Sequence, residues 1–265
     1  MGVVTQVSLG EVNTLFPSYN FTKIEPTLSG IIDTTYIIYT NTSSYILKKY
    51  ERDIPQKIAQ DTKLLNELHA KGFNVPICLT QNQGWYLYKK LKGSQPKYVK
   101  SYHIQALARF LAKLHCTMST HKCTSNQIIE EEVLTALRYT KENYFGYYKR
   151  LEFLKHFNLK PDACIHGDIF KDNTIFDGKK IGVIDFIDSS CGTFAYDAAV
   201  ALVGFDARVH HHYFINLFLN TYNQHAPKKI TKKRLLYKMK VASHFYALKR
   251  VYAYKNTFRA QELLA

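Results

Sequence analysis

The chain has 265 residues, 46% of them hydrophobic, and a formal net charge of +15 at pH 7. This composition supports a sizeable buried core and excludes an intrinsically disordered chain, and the lack of a signal-peptide pattern or of a run of about 18 apolar residues argues against secretion and membrane insertion. The basic residues lie in separate segments, so solvated faces explain the charge better than a nucleic-acid groove, and no nucleic-acid partner is expected.

The first predicted elements are β-strands. Residues 22–51 alternate β-branched and aromatic residues with polar ones around the turn sequences SG and NTSS, which predicts an antiparallel meander. Residues 54–71 repeat apolar side chains at helical spacing and are followed by Gly72, which predicts a helix with a C′ glycine. The segments FNVPICLT and GWYLYKKLKG predict two further strands. Together these elements form a first predicted domain over residues 1–91.

Helices dominate the predicted remainder of the chain, residues 92–265. The segment HIQALARFLAKLHCTM carries apolar residues on one helical face, and helical patterns continue over residues 127–157, 213–224 and 232–254. A β-rich region followed by a helical region predicts an α+β fold with two lobes. The apolar helix faces fit packing within one chain or between subunits, so both oligomeric alternatives stay open.

Two apolar stretches of the second region carry carboxylates. CIHGDIFKDNTIF, residues 164–176, contains Asp168 and Asn173, and IGVIDFID, residues 181–188, contains Asp185. Both read as core strands, where a carboxylate is costly unless something pairs with it. A hairpin between them would bring Asn173 and Asp185 together, facing Asp168. Asp and Asn offer the oxygen ligands that Mg²⁺ takes, so the pattern predicts a phosphoryl-transfer site with two metal ligands and a base.

HGDIFKDNTIF together with VIDF resembles the H-G-D-x-x-x-x-N and I-D-F signature of the aminoglycoside phosphotransferase and choline kinase superfamily, which has a protein-kinase-like fold. Most of the chain resembles one family within it, the kinase-fold (type II) homoserine kinases, through GIIDTTYIIYTNTSSYILKKYE, LLNELHAKGFNVP, LARFLAKLH and FAYDAAVAL. The resemblance implies an antiparallel β-rich N-terminal lobe that binds nucleotide and a mainly helical C-terminal lobe with the catalytic loop and acceptor site. It also implies an ATP- and Mg²⁺-dependent kinase for a small-molecule hydroxyl, with homoserine favoured and threonine biosynthesis as the pathway.

The same resemblance assigns roles in the catalytic segment. Asp168 takes the part of the catalytic base, and Asn173 and Asp185 take the parts of the Mg²⁺ ligands. His166 braces the loop by hydrogen bonds, and Asp197 in FAYDAAVA either caps a helix or ties the catalytic segment down.

Lys48, in the strand YILKKY, occupies the position where the family presents a lysine to the α- and β-phosphates of the nucleotide. Alternation along a strand sends Lys48 and Lys49 to opposite faces, and Lys48 is the one selected. Asp61 in the following helix is predicted to pair with Lys48, where related kinases commonly have a glutamate. The alternatives are that this pair is absent or that Glu67, later on the helix and less favoured, is the partner. Lys171 in the catalytic loop has two open alternatives, contact with the γ-phosphate and simple solvation.

The segment YLYKKLKG is the predicted hinge between the lobes. Its main-chain groups would meet the edge of a purine, and the residues concerned are Tyr88, Lys89 and Lys90. A plain β-edge with exposed lysines is the alternative, and both ATP and GTP fit such a hinge. The turn LSGIIDTTY, which would cover the phosphates, holds a single glycine and so departs from the Gly-rich loop of protein kinases.

Two alternatives to homoserine phosphorylation stay open. The first changes the acceptor to choline, ethanolamine, an aminoglycoside, methylthioribose or a sugar, whereas an acceptor with a carboxylate would suit an arginine such as Arg208 or Arg250. The second is a non-catalytic kinase-like nucleotide-binding module. Retention of Asp168, Asn173 and Asp185 argues against that second alternative.

The five cysteines contain no C-x-x-C pair. Their spacing argues against a disulfide framework and against a thiolate zinc site, and it predicts a protein of the reducing cytoplasm. The residues are Cys78, Cys116, Cys123, Cys164 and Cys191.

Overall fold

A computed structural model describes residues 4–27, 32–120, 123, 127–156 and 161–264, with the backbone alone for residues 127–129. The chain divides into two compact units, Met1–Gln95 with Thr174–Ile187, and Pro96–Asn173 with Asp188–Ala265. The first unit extends past the predicted limit at residue 91. It also includes Thr174–Ile187, a segment predicted in the second domain.

The first unit is built on a five-stranded antiparallel sheet. In chain order its elements are α1 (Leu9–Leu15), β1 (Lys23–Pro26), β2 (Thr34–Tyr39), β3 (Ser44–Lys49), α2 (Pro55–Ala70), β4 (Cys78–Asn82) and β5 (Trp85–Lys89). The strand order is β1-β2-β3-β5-β4, and every neighbouring pair is antiparallel. The predicted antiparallel meander with one long helix is confirmed, and the short α1 is an addition to it.

Alternation along the strands gives this sheet an apolar face. Ile38, Leu47 and Leu87 are completely buried and lie in one hydrophobic cluster with apolar side chains of α1. Burial of each such side chain stabilises the unit by about 1.5–3 kcal/mol. Lys48 follows Leu47 in β3, and successive side chains of a strand point to opposite faces. The register of the core therefore directs Lys48 away from the apolar cluster.

Both ends of helix α2 have residues that suit a helix terminus. Pro55 lies at its start, where the fixed φ of proline suits the first turn. The side chains of Ile58, Leu65 and Leu68 are buried, as the helical spacing predicted. Gly72 follows the last turn with a φ of 74°, a left-handed conformation that glycine adopts without strain.

The second unit is mainly helical. Its first elements are α3 (Ser101–Met118), α4 (Gln127–Asn143), α5 (Phe145–Leu151), a 3₁₀ segment (Glu152–His156) and the short strand β6 (Ala163–Ile165). In its described part, the helical pattern over residues 127–157 corresponds to two helices and a 3₁₀ segment. Helix α4 ends at Asn143 and α5 begins at Phe145, because Tyr144 has a non-helical backbone.

A β-hairpin follows the segment HGDIFKDN. Strands β7 (Thr174–Asp177) and β8 (Lys180–Val183) pair with Asp177 opposite Lys180. Gly178 in the turn has a φ of 60°, as a two-residue hairpin turn demands. The hairpin agrees with the sequence, but β8 ends at Val183, so Asp185 lies beyond the strand and not at its centre.

The remaining elements are β9 (Ser190–Gly192), α6 (Phe194–Gly204), α7 (His212–Tyr222), α8 (Lys232–Tyr252) and α9 (Thr257–Leu264). Strand β9 pairs with β6 in a two-stranded antiparallel sheet. Helix α6 is buried along its whole length and packs on α8, so it forms the centre of the second unit. Across the described ranges, no helix has the length and apolar character needed to cross a membrane.

The sequence argued against a disulfide framework, and the part of the chain that the structure describes contains a single disulfide bond. Cys123 and Cys191 are joined in the second unit, with Cα atoms 5.5 Å apart and a separation of 68 residues. A separation of this size leaves no local spacing pattern, because only the packing of the unit brings the two residues together.

Candidate active site

Residues 166–173, here called the HGD loop, follow β6 directly in the second unit. Strand β9 fixes the start of the loop, because Ile165 pairs with Ser190. Gly167 has a φ of 75°, which a residue with a Cβ atom adopts only under strain. The loop ends in a 3₁₀ turn at Lys171–Asn173. Its backbone is therefore fixed at both ends.

Asp197 of α6 holds the HGD loop from inside the unit. Its carboxylate is fully buried and accepts hydrogen bonds from the backbone N–H groups of His166 at 3.2 Å and Gly167 at 2.8 Å. Nε2 of His115 lies 3.0 Å from Asp197 Oδ2 and donates to it. The hydroxyl of Tyr222 lies 2.6 Å from Nδ1 of His115, within hydrogen-bond distance. Three donors thus converge on one buried carboxylate.

The charge of Asp197 is stabilised by its neighbours. Burial disfavours the ionised form, but the hydrogen bond and charge of His115 and the bond from Gly167 outweigh that effect and lower the pKa of Asp197. The N-cap of α6 is Thr193, whose side chain accepts a bond from the backbone of Tyr196. The two roles predicted for Asp197 were to cap a helix and to tie the catalytic segment down. Its hydrogen bonds to the backbone of the HGD loop correspond to the second role.

We predict that Asp197→Ala lowers the free energy of unfolding by about 3–5 kcal/mol, because it leaves His115 and two loop N–H groups without their buried acceptor. Urea denaturation followed by circular dichroism measures the change. The matched control is Asp162→Asn, which removes the ion pair with Lys228 but keeps an oxygen that can accept from the backbone N–H of Phe194. The side chain of Lys228 is 53% exposed, and such a pair contributes about 1 kcal/mol or less. Equal losses in the two variants would contradict the prediction.

The stability lost in Asp197→Ala should depend on pH. The carboxyl of Asp197 has a pKa of about 3.9 in the unfolded chain and a lower one in the folded state. Its contribution to stability is therefore fully present above the unfolded pKa and is lost as the pH falls through the folded pKa. The difference in unfolding free energy between wild type and Asp197→Ala should stay constant from about pH 7 to about pH 5 and shrink in more acidic solution.

Both carboxylate oxygens of Asp168 are hydrogen-bonded. Nδ2 of Asn173 donates to Asp168 Oδ2 at 3.1 Å and to the Asp168 carbonyl oxygen at 2.9 Å. Tyr246 of α8 donates to Oδ1 at 2.9 Å. The backbone N–H of Asp168 donates to Nδ1 of His166 at 3.2 Å, a contact of the bracing kind predicted for His166. The structure thus brings three of the predicted residues together in one loop.

The orientation of the Asn173 side chain decides which atom it offers to a cation. Its amide nitrogen is used on Asp168, so the carbonyl oxygen Oδ1 is the atom suited to ligation. An amide oxygen is among the donors that Mg²⁺ accepts. The donor chemistry of Asn173 therefore fits the predicted metal role.

Lys171 has a partner that the sequence did not predict. Its Nζ forms an ion pair with Asp206, which lies just beyond α6 and has a φ of 57°. At the end of α6, the backbone of Gly204 lies so close to the loop that a Cβ atom would meet the Ile169 carbonyl oxygen at 2.8 Å. This close approach brings the chain after α6 to the loop, where Asp206 orients Lys171.

In the first unit, Lys48 lies between two carboxylates. Its Nζ is 3.2 Å from Asp185 Oδ1 and 3.3 Å from Asp33 Oδ2. Burial alone would lower the pKa of Lys48, but the charges of Asp185 and Asp33 outweigh it and raise the pKa. The side chain therefore stays an ammonium ion at neutral pH. Lys49 instead lies over the ring of Trp85, 5.6 Å from its centroid.

The backbone of Asp185 is unusual. Its φ of 68° lies in the left-handed region that few residues other than glycine adopt. Sparsely populated conformations of this kind cluster at functional sites, where the surrounding structure maintains them. The side chain is 41% exposed, so it is accessible to a ligand as well as to Lys48.

Asp61 and the predicted hinge lie in the first unit. Asp61 is buried in α2, and its charge adds to burial in raising the pKa of Tyr50. The hydroxyl of Tyr50 lies 3.0 Å from that of Tyr88. The backbone N–H of Lys89, at the end of β5, donates to the carbonyl of Ile77 at 3.1 Å, so this donor is not presented to a purine.

Two further predictions concern the binding of phosphate and metal. The phosphate-covering turn LSGIIDTTY falls partly outside the described residues, at positions 28–31. Within the described part of the chain, no group of three or more His, Cys, Asp or Glu side chains is arranged to hold a metal ion. The predicted pair of Asn173 and Asp185 is a different kind of donor set, since Mg²⁺ commonly takes one or two carboxylates together with substrate phosphates.

Sequence reasoning missed four residues of the site. His115 had a signal, because it is a polar residue on the otherwise apolar face of α3 and is completely buried. Asp33 lies in GIIDTTY, a segment of the family resemblance, but nothing in that segment assigned it a role. Asp206 and Tyr246 had no signal, because their partners are distant along the chain. Tyr246, for example, is separated from Asp168 by 78 residues.

Comparison with known proteins places this site in a wider context. The family model described as "Phosphotransferase enzyme family" (APH) matches residues 23–227. A homoserine kinase of Methylobacillus flagellatus is 26% identical over 225 residues, which cover 76% of this chain and 70% of that protein. A homoserine kinase of Polaromonas naphthalenivorans is 25% identical over 228 residues, which cover 76% and 72%.

Solved structures of small-molecule kinases have the same fold. A choline kinase from Streptococcus pneumoniae matches with a TM-score of 0.70 at 16% identity, covering 96% of this chain and 95% of that one. An ADP-bound aminoglycoside phosphotransferase matches with a TM-score of 0.64 at 19% identity, covering 97% of each chain. Amicoumacin kinase in complex with AMP-PNP and Ca²⁺ matches with a TM-score of 0.69 at 15% identity, covering 97% and 96%. The predicted protein-kinase-like α+β fold is confirmed.

Proposed function

The chain belongs to the phosphotransferase enzyme family, and on that premise we propose that it transfers the γ-phosphoryl group of ATP to the hydroxyl group of L-homoserine in the presence of Mg²⁺. The family match supports the transfer of a phosphoryl group to a small molecule. Curated relatives named homoserine kinase cover 76% of the chain and support homoserine as the acceptor. The product would be O-phosphohomoserine, an intermediate of threonine biosynthesis.

The observation that carries the proposal is the setting of Asp168. Its carboxylate lies on a loop whose backbone is tied to Asp197, and Asn173 donates to its Oδ2 at 3.1 Å. A general base has to be held within hydrogen-bond reach of the proton that it takes. Two buried or half-buried side chains supply that restraint, which an incidental surface aspartate would not have.

The proposed step moves one proton and one phosphoryl group. The homoserine oxygen forms a bond to the γ-phosphorus, the bond from that phosphorus to the β,γ-bridging oxygen breaks, and ADP leaves. Asp168 accepts the proton of the hydroxyl as the new bond forms. His166 and Asp197 hold the loop in this step, through hydrogen bonds with the backbone of residues 166–168.

Asn173 and Asp185 are the proposed Mg²⁺ ligands. When bound, Mg²⁺ neutralises charge that develops on the phosphate oxygens during transfer. The amide oxygen of Asn173 and the carboxylate of Asp185 are donors of the type that this ion takes. Asn173 would then have two functions, because its amide nitrogen orients Asp168 and its oxygen would serve as the ligand of the cation.

Lys48 is the proposed contact to the nucleotide phosphates. Its raised pKa keeps it cationic, and Asp33 and Asp185 fix its Nζ from two sides. A charge held in this way is preorganised for a polyphosphate and costs little reorganisation on binding. The family resemblance is the basis of three further proposals. These are a pair between Asp61 and Lys48, a contact of Lys171 with the γ-phosphate, and a contact of the Lys90 main chain with the purine.

We predict that Lys48→Met lowers kcat/KM for ATP by about 10- to 100-fold, the loss expected for a contact between an ammonium group and phosphate. Lys49→Met is the matched control, because Lys49 is adjacent in β3 but lies over Trp85, and its kcat/KM should stay within about twofold of wild type. Steady-state kinetics at varied ATP and saturating acceptor measure both variants. Equal values for the two would remove Lys48 from this role.

An acceptor with a carboxylate would be bound by a cation in the acceptor site. Of the two predicted arginines, Arg208 is the better candidate for this contact. It lies two residues beyond Asp206, in the segment that adjoins the HGD loop. Its Nη2 donates to the carbonyl of Glu262 at 3.3 Å, while Nη1 is buried and has no hydrogen-bond partner among the described residues. Arg250 stacks instead on the ring of Tyr254.

A coupled assay of ADP release tests the proposal. The chain is incubated with ATP, Mg²⁺ and, in separate reactions, L-homoserine, choline, ethanolamine, methylthioribose and an aminoglycoside. The proposal predicts the highest kcat/KM with L-homoserine, and O-acetylhomoserine, which lacks the free hydroxyl, should give no turnover. Preference for another acceptor would keep the phosphotransferase and replace its substrate.

A further inference from the structure

Tyr246 lies in α8, outside the HGD loop and outside the VIDF segment, yet its hydroxyl reaches the proposed base. It donates to the carbonyl oxygen of Gly167 at 2.5 Å and to Asp168 Oδ1 at 2.9 Å. The side chain is only 6% exposed. None of the roles described above uses this phenol.

Aromatic neighbours hold the ring of Tyr246 in place. Phe170 of the HGD loop packs edge-on against it with ring centroids 4.7 Å apart, and Phe245 packs in the same manner at 5.4 Å. Edge-to-face pairs of this kind are favourable and directional. The hydroxyl is therefore presented to the loop from a rigid position on a helix of 21 residues.

The phenol is a hydrogen-bond donor and not a second base. Burial, and then the charge of Asp168, raise the pKa of Tyr246 well above its ordinary value, so its proton is retained at neutral pH. A phenol has one proton to donate, and an ionised carboxylate is a stronger acceptor than a carbonyl group. The Gly167 carbonyl is the nearer acceptor, at 2.5 Å against 2.9 Å for Asp168 Oδ1, so the phenol shares its proton between the two while the base is ionised.

The two oxygens of Asp168 are held by donors from different elements. Asn173 holds Oδ2 from within the loop, and Tyr246 holds Oδ1 from α8. One bond alone would let the carboxylate turn about its Cβ–Cγ bond, whereas two bonds to opposite oxygens fix that rotation. The lone pair that receives the proton then has a defined direction.

We propose that Tyr246 is a positioning residue that aligns Asp168 for removal of the proton from the acceptor hydroxyl. The inference rests on the proposed function, because it presupposes that Asp168 is the base. A base in the correct place but free to rotate spends less time in the reactive alignment. The hydrogen bonds of Tyr246 go to atoms of the loop, so its removal should act on kcat and leave KM for both substrates unchanged.

Tyr246→Phe removes the hydroxyl and keeps the aromatic ring. We expect kcat to fall by about 10- to 100-fold, as for the loss of one hydrogen bond to a charged group, with KM for ATP and acceptor within about twofold of wild type. Tyr237→Phe is the matched control, because Tyr237 lies on the same helix and is 60% exposed; its kcat should equal that of wild type. The midpoint of thermal unfolding should stay within about 4 °C for both variants.

Three results would overturn the inference. An unchanged kcat for Tyr246→Phe shows that the phenol does not position the base. A fall in kcat accompanied by a large fall in the unfolding midpoint, or by a parallel rise in KM, shows a structural or binding role instead. Wild-type protein that phosphorylates no hydroxyl compound defeats the proposed function itself, and this outcome differs from an active wild type with an equally active Tyr246→Phe.

Discussion

Asp168→Asn is expected to lower kcat by about 10²- to 10⁴-fold, the contribution of a positioned general base, while the dissociation constant of ATP stays within about twofold. The amide has the size of the carboxylate, and its single oxygen still accepts a hydrogen bond from Tyr246, while its NH2 group replaces the oxygen that accepts from Asn173. The backbone of the HGD loop stays bonded to Asp197, so the loop should keep its conformation. It no longer takes the proton of the acceptor hydroxyl. Coupled ADP release gives kcat, and displacement of a fluorescent nucleotide gives the affinity.

The control for this variant is Asp172→Asn. Asp172 lies in the same loop, four residues after Asp168, and its side chain is exposed. Both substitutions remove one negative charge from the loop, so a general electrostatic effect would appear in both. We expect turnover by Asp172→Asn within about twofold of wild type. Wild-type turnover by Asp168→Asn would remove Asp168 from the role of base.

Asp185→Asn is expected to lower kcat by about 100-fold or more at a fixed Mg²⁺ concentration and to raise the Mg²⁺ concentration that gives half-maximal activity. An amide is a weaker ligand for a hard cation than a carboxylate is. The substitution also takes an anionic partner from Lys48, which lies 3.2 Å from Asp185 Oδ1. Titration of activity with MgCl₂ at saturating ATP separates the change in metal dependence from the change in rate.

Asp177→Asn is a close control for this experiment. Asp177 and Asp185 both lie in the segment Thr174–Ile187 of the first unit. Both side chains are 41% exposed, and each forms an ion pair of 3.2 Å with a lysine. They differ in backbone conformation, since only Asp185 of these two has a positive φ. The control should have wild-type Mg²⁺ dependence. The same dependence in Asp185→Asn would show that Asp185 is not a metal ligand.

The sequence predicted local features of the chain well. Alternation in YILKKY placed Lys48 and Lys49 in different surroundings, and the structure pairs Lys48 with carboxylates and sets Lys49 over Trp85. The apolar strands separated by DGKK predicted the hairpin of β7 and β8. These features depend on residues within one element or on neighbouring ones, whose periodicity a sequence displays.

Partners that are distant along the chain were not predictable. The sequence proposed Asp61 as the partner of Lys48, whereas the ion pairs that the structure gives Lys48 are with Asp185 and Asp33. Asp33 lies 15 residues before Lys48 and precedes β2. Asp206 and Tyr246 meet the HGD loop only because α6 and α8 pack beside it. Periodicity tells which face of a helix is buried but not which residue of another element meets it, so such pairs need the tertiary structure.

Two further differences have the same cause. The backbone N–H of Lys89, predicted at the purine, is bonded to Ile77 because β4 and β5 pair around an irregularity in their register. The disulfide between Cys123 and Cys191 likewise follows from packing within the second unit. A main-chain bond leaves no trace in residue types, and a cysteine pair so far apart has no spacing signature.

The most direct test of the proposed activity is ³¹P NMR of a mixture of the chain, ATP, Mg²⁺ and L-homoserine. We predict that a phosphomonoester resonance grows as the γ-phosphate resonance of ATP disappears, in equal amounts, and that Asp168→Asn gives no such resonance on the same timescale. Consumption of ATP with release of inorganic phosphate alone, or a phosphomonoester formed equally by Asp168→Asn, would contradict transfer to homoserine with Asp168 as the base.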